Sequence, residues 1–290
     1  MADFQCKAWA ELGNAYRVAD RLDSAHMALS YAEELYEHGT GDKALGIRLL
    51  DFQASLAGDC RKFGLACNTL SLIHEHHSIH GDSHLAGRAL IGKGLYTGYA
   101  GRPEEAIQLL RDGFALIEKG LDPNLTCIAL NNQVTFLVDC QRFREAKKIL
   151  FINRQNLSLG VGRMVLLRVR WEEGRIDAGL GKLMQAEQAF RDVKRDSEEV
   201  FRPFDAALVS LDLATVLMLQ NRVAEAETLV VEAARVFVGL RIDREALGAV
   251  LLLKKSFEMR YASAALVEEV AVFVRRAQYD PNARFDPKPL

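Results

Sequence analysis

Apolar and small residues recur along the chain at helical intervals, and the pattern of intervals itself repeats. An alanine stands at Ala25, Ala66, Ala106, Ala146, Ala186 and Ala226, so the step is 41 residues once and 40 residues four times. Four positions beyond each alanine comes a larger apolar side chain: Leu29, Leu70, Leu110, Leu150, Phe190 and Val230. That spacing puts both on one face of a helix. Upstream of the first alanine, Trp9, Leu12 and Tyr16 keep helical spacing and predict a preceding helix. A period of this length marks a repeat architecture, here with one pair of helices per unit.

The residues just before each alanine predict the turn between the paired helices. The turn opens on Asp20, Arg61, Gly101, Gln141, Gly181 and Asn221. Four of these six are Gly, Asn or Asp, which tolerate the left-handed backbone that ends a helix. A cation follows every time: Arg21, Lys62, Arg102, Arg142, Lys182 and Arg222. It suits the negative end of the helix before it. Next comes an apolar residue to cover the joint, at Leu22, Phe63, Pro103, Phe143, Leu183 and Val223. Between units, segments 38–42, 80–83, 120–123, 160–162 and 239–243 supply Gly to stop one helix, and all but 160–162 supply Asp or Ser to cap the next. Residues 243–278 read as a seventh, degraded hairpin. Its amphipathic second helix, 264–277, closes the end of the stack, as atypical terminal repeats do. Residues 279–290, with three prolines in the last ten positions, read as an irregular tail.

These features resemble the tetratricopeptide repeat. Trp9, Leu12, Gly13 and Tyr16 match its W-x-x-L-G-x-x-Y helix, and Ala25 and Ala32 match the small positions of its second helix. The other units keep the small residues and lose the Trp. The period is longer than the family's usual ~34 residues, as in tetratricopeptide-like bacterial regulators. The resemblance spans residues 4–240. It implies an all-α, right-handed solenoid of about seven hairpins forming one domain over residues 1–278. More loosely, the chain is similar to the repeat region of larger bacterial regulatory proteins, whose effector or DNA-binding part precedes the repeats.

Composition narrows the function. Of 290 residues, 37 are basic and 39 acidic, giving a net charge of −2; 26% are charged and 49% apolar. These values exclude a disordered tail, a collagen, a disulfide miniprotein and a strongly basic nucleic-acid binder. Five cysteines, an odd number without a C-x-x-C pair, read as thiols of a reducing cytoplasm rather than as a zinc site. The N-terminus lacks a signal-peptide pattern, and no apolar run is long enough to span a membrane. A cytoplasmic location is therefore the expectation. The Asn124 and Asn156 sequons carry little meaning there.

The resemblance also implies that the first helix of each hairpin lines a concave face. Counting each alanine as position 20, position 2 holds Lys7, Arg48, Arg88, Ile128, Arg168 and Leu208. Position 5 holds Ala10, Asp51, Ile91, Asn131, Trp171 and Leu211; position 9 holds Asn14, Ser55, Leu95, Thr135, Arg175 and Thr215. Arg48, Arg88, Asn131, Arg168, Trp171 and Arg175 are the candidate groove residues. Arg suits carboxylates, and Trp and Arg often dominate interface energies. Two readings stand: a groove for an acidic or acidic–hydrophobic segment, or arginines that pair with Asp and Glu on adjacent helices. The carboxylate-clamp pattern of chaperone cofactors is not met, because Ala10, Ile91 and Leu95 break it.

Other chemistry is thinner. His74, His76, His77, His80 and His84 crowd one segment, and His76, His77 and His80 share a helix face that suggests a metal. Ser78 stands where an H-E-x-x-H motif needs its second histidine. Gly87–Gly94 approaches a phosphate-binding loop without its final Ser or Thr, and reads better as glycines for close helix packing. No nucleophile elbow or acid/base pair emerges, so no cofactor or small-molecule substrate is implied. The slightly negative charge and the lack of an aromatic series argue against nucleic acid. The sequence thus points to a non-enzymatic module that binds another protein or peptide as adaptor, scaffold or regulatory subunit. A peptide-sensing bacterial regulator and a metal-binding protein are the alternatives.

Overall fold

The computed structural model describes residues 1–153, 162–280 and 282–286, and the fold is all-α. Paired helices follow one another along the chain: α1 (Ala2–Val18) with α2 (Leu22–Glu37), α3 (Lys43–Asp59) with α4 (Phe63–Ile79), α5 (Ser83–Tyr99) with α6 (Pro103–Leu116), and α7 (Pro123–Asp139) with α8 (Phe143–Ile152). Then come α9 (Arg163–Gly179) with α10 (Leu183–Glu199), α11 (Pro203–Leu219) with α12 (Val223–Leu240), and α13 (Arg244–Glu258) with α14 (Ala264–Ala277). No strand occurs among the described residues. The Asn156 sequon, most of the 160–162 joint and the three tail prolines lie outside them. Contacts gather into two units, Met1–Gln133 and Val134–Leu290, with the boundary inside α7. In each, helices adjacent in sequence pack on one another, the arrangement of an α-solenoid.

One turn is built six times. Its first residue is left-handed at Asp20, Arg61, Gly101, Gln141, Gly181 and Asn221, with φ between 57° and 82°. The basic residue after it sends its backbone N–H five residues back, as from Arg21 to the Tyr16 carbonyl at 2.9 Å and from Lys182 to the Asp177 carbonyl at 2.8 Å. This is the Schellman closure of a helix C-terminus. The same residue's carbonyl accepts the first bond of the next helix from the alanine N–H, 2.9 Å for Arg21–Ala25 and 3.0 Å for Lys182–Ala186. The cationic side chain does more than face a helix end: Arg102, Arg142 and Arg222 each pair at 2.7 Å with a glutamate three residues on. All six alanines have no exposed surface. Any larger side chain there would force the paired helices apart.

The joints between hairpins use carboxylate caps. Asp42 accepts from the Ala44 and Leu45 N–H groups, Asp82 from Leu85, and Asp243 from Glu245 and Ala246; inside the seventh hairpin, the Ser263 hydroxyl accepts from Leu266. The glycines that mimic a phosphate loop lie within α5. A Cβ on Gly87 would meet the Gly113 carbonyl at 2.7 Å, and one on Gly113 would meet the Gly87 carbonyl at 2.8 Å. They let α5 and α6 touch backbone to backbone.

The seventh hairpin closes its unit by departing from the order before it. Helix α13 packs on α12, while α14 packs on α13 and on α11. The second helix of this hairpin therefore lies against the first helix of the one before. Val267, Val270 and Val274 of α14 are buried in the core shared with Leu211, Leu217 and Phe237. The five cysteines are free thiols, and no described helix is long and apolar enough to cross a membrane.

Two substitutions test these packing arguments by urea denaturation. Arg61→Gly relieves a left-handed side chain and raises stability by up to about 1 kcal/mol. Gly113→Ala lowers it by about 1–3 kcal/mol, because its Cβ meets backbone.

Candidate functional site

An open cleft in the first unit follows from the repeat register. Lys7, Arg48 and Arg88 hold the same position on α1, α3 and α5 and line one cleft of about 1000 Å³. Lys43, at the start of α3, joins them. Phe4, Phe52, Ile73 and Leu85 supply apolar wall. Arg48 lies over the Phe52 ring, 5.5 Å from its centroid. The carboxylates of the lining are engaged. Asp3 accepts from the Thr40 N–H at 3.0 Å and its hydroxyl at 2.6 Å, Asp42 caps α3, and Asp51 pairs with Arg88 at 2.6 Å. Arg48 pairs with Glu11. Lys7 and Lys43 are exposed and without an ion-pair partner among the described residues.

The C-terminal end of α4 adds His76, His77 and His80 to this lining. The His76 and His80 rings stack with centroids 4.2 Å apart, and His80 Nδ1 donates to the His76 carbonyl at 2.7 Å. Burial holds the His77 imidazole below its ordinary pKa. The other two histidines of the cluster are turned elsewhere: His74 Nδ1 donates to the Ala86 carbonyl, and His84 Nδ1 accepts from the Glu118 N–H. Among the described residues no three His, Cys, Asp or Glu side chains converge as a metal site.

A smaller pocket of about 160 Å³ adjoins the cleft, and Asp51 and Arg88 line both. Its walls are Leu70, Ile91, Leu95, Leu125 and Ile128, with Ser55 and Asn132 at hand. Ile128, Ile91 and Leu95 occupy the repeat positions that hold Arg88, Asp51 and Ser55 in neighbouring hairpins.

The remaining candidates do not share this surface. Asn131 is buried and lines neither cavity. In the second unit, Arg168 is exposed without an ion-pair partner among the described residues. Arg175 is only 10% exposed and bonds both Asp139, at 2.6 Å, and Glu172, at 3.0 Å. Glu172 also accepts from the Thr135 hydroxyl at 3.0 Å. Burial pushes the Glu172 carboxyl above its ordinary pKa against the pull of Arg175. Burial opposes the charge of Arg175 too, but Glu172 and Asp139 hold it firmly protonated. Trp171, expected as an apolar anchor, donates its indole N–H to Asp212 at 2.7 Å. Asp212 is gripped in turn by Arg275 of α14 at 2.7 and 2.8 Å, and that guanidinium lies 5.9 Å from the Trp171 ring centroid.

Energetics separate the two sets of arginines. An exposed ion pair contributes only about 0–1 kcal/mol, so Arg48 and Arg88 can exchange partners cheaply. Breaking a buried pair costs about 3–5 kcal/mol, so Arg175 is locked. Residue type did not distinguish them; burial did. Lys43 and the three histidines were not legible as part of this lining, because they belong to helix ends that only hairpin packing brings together. No protein-family model matches the chain, and no curated protein matches it in sequence.

Urea midpoints check the ranking. Arg175→Ala costs about 3–5 kcal/mol through the stranded Glu172 carboxylate, while Arg88→Ala costs less than about 1 kcal/mol.

Proposed function

We propose that this chain is a non-enzymatic protein-binding module, serving as adaptor, scaffold or regulatory subunit, and that the cleft of the first unit seats an acidic segment of another protein. The observation that carries this reading is the alignment of Lys7, Arg48 and Arg88 along one open cleft, with Lys43 beside them. Two of these cations have no ion-pair partner among the described residues, and the other two have partners that exposure makes cheap to replace. A ligand carboxylate can therefore replace Glu11 or Asp51 at little cost. The apolar wall rewards burial of the ligand's own carbon. Trp171 and Arg175 have no part in this contact, since their polar groups are already engaged.

A fluorescein-labelled deca-glutamate peptide tests it by fluorescence anisotropy. Lys7→Glu with Lys43→Glu weakens binding at least about tenfold, and raising salt from about 50 to about 300 mM weakens it further. Affinity unmoved by the double charge reversal would remove the cleft from the account.

Acidity supplies an independent check. Four cations face three carboxylates in the lining, and His77 stands among them. Burial holds the His77 imidazole below its ordinary pKa, so it charges only as the solution is made more acidic than an ordinary imidazole needs. Its protonation adds positive charge opposite an anionic ligand, so binding tightens on acidification. His77→Gln weakens this pH dependence while keeping binding at about pH 7.5.

A further inference from the structure

We infer that the ligand is recognised by two features set a few residues apart: a carboxylate held by Arg88 and, along an extended segment, one large aliphatic side chain seated in the neighbouring pocket. This rests on the acidic-segment reading and specifies it.

The argument starts from the columns of the repeat. Position 2 runs Lys7, Arg48, Arg88 and then Ile128, and position 5 runs Ala10, Asp51 and then Ile91. Position 9 runs Asn14, Ser55 and then Leu95. Each column turns apolar as it reaches the smaller pocket, so charged and apolar walls follow one another along the first unit. The two cavities are contiguous, because Asp51 and Arg88 border both. That pair, at 2.6 Å with Arg88 51% exposed, is the junction.

A ligand carboxylate that takes Arg88 from Asp51 stands at the mouth of the second pocket. Its volume of about 160 Å³ accommodates one large aliphatic side chain. Ile128 is 43% exposed there, and its apolar surface gains from being covered. The Asn132 side chain, without a hydrogen-bond partner among the described residues, is positioned at the same wall to bond a peptide backbone. Arg88 and Ile128 sit on first helices one hairpin apart, roughly 10 Å. Extended chain covers that in roughly three residues.

The test uses two labelled probes, deca-glutamate with its sixth residue changed to Leu or to Ala. Uniform glutamate flanks let either probe slide into register. The Leu probe binds about tenfold more tightly than the Ala probe, the gain expected for burying one aliphatic side chain. Ile128→Ser, which removes apolar wall without adding charge, shrinks that difference, and Arg88→Gln weakens both probes. Equal binding of the two probes by the unaltered protein overturns the second subsite and leaves the acidic cleft standing. Binding of neither probe overturns the acidic cleft itself, and this inference with it. Circular dichroism of both variants confirms that the helices persist.

Discussion

The closeness with which paired helices approach at six buried alanines governs the rest of the molecule. A left-handed residue ends the first helix, a Schellman bond closes it, and the alanine N–H opens the next helix on the same carbonyl-bearing residue. Because that joint has one geometry, each hairpin enters the stack in the same register. Side chains one period apart then stand in line on successive first helices. The row Lys7, Arg48, Arg88 is a consequence of that register. The residues of the row are chemically unremarkable one by one, and only their alignment makes a surface.

Solvent decides which aligned cations remain usable. Arg88 and Arg175 both sit at groove positions of their repeats, and both bond carboxylates on neighbouring first helices. The first pair is open to water, where making and breaking an ion pair costs little. Arg175 is itself enclosed with Glu172 and Thr135, where losing the guanidinium strands the Glu172 carboxylate. The same residue type, at two different positions of the repeat, therefore serves an exchangeable contact in one unit and an internal strut in the other.

Much of the architecture was legible from spacing. The hairpin boundaries, the left-handed turns, the carboxylate caps and the close packing of the α5 glycines follow from periodicity and local backbone chemistry. Even the span of α14 was readable from its amphipathic pattern. Its partner was not. That α14 lies on α11, with Arg275 gripping Asp212 beside Trp171, depends on how the last hairpin turns, and no local signal encodes that direction. Trp171 consequently looked like an anchor for another molecule when its indole N–H is already spoken for within the chain. The histidines offered metal binding only as an alternative, on helical spacing; packing divides the five among a stack, a cleft wall and two backbone contacts.

By itself, then, the sequence determined the unit: a helical hairpin of forty residues, its turn, its small contact position and the identity of each column. These depend on backbone torsions and on helical periodicity, which act within a few residues. Tertiary structure decided which members of a column meet water and which are sealed between helices. It also decided which helix ends come together around the cleft, and where the terminal helix lies. Those outcomes depend on burial and on partners distant in sequence, whose energies are set by the surroundings rather than by residue type.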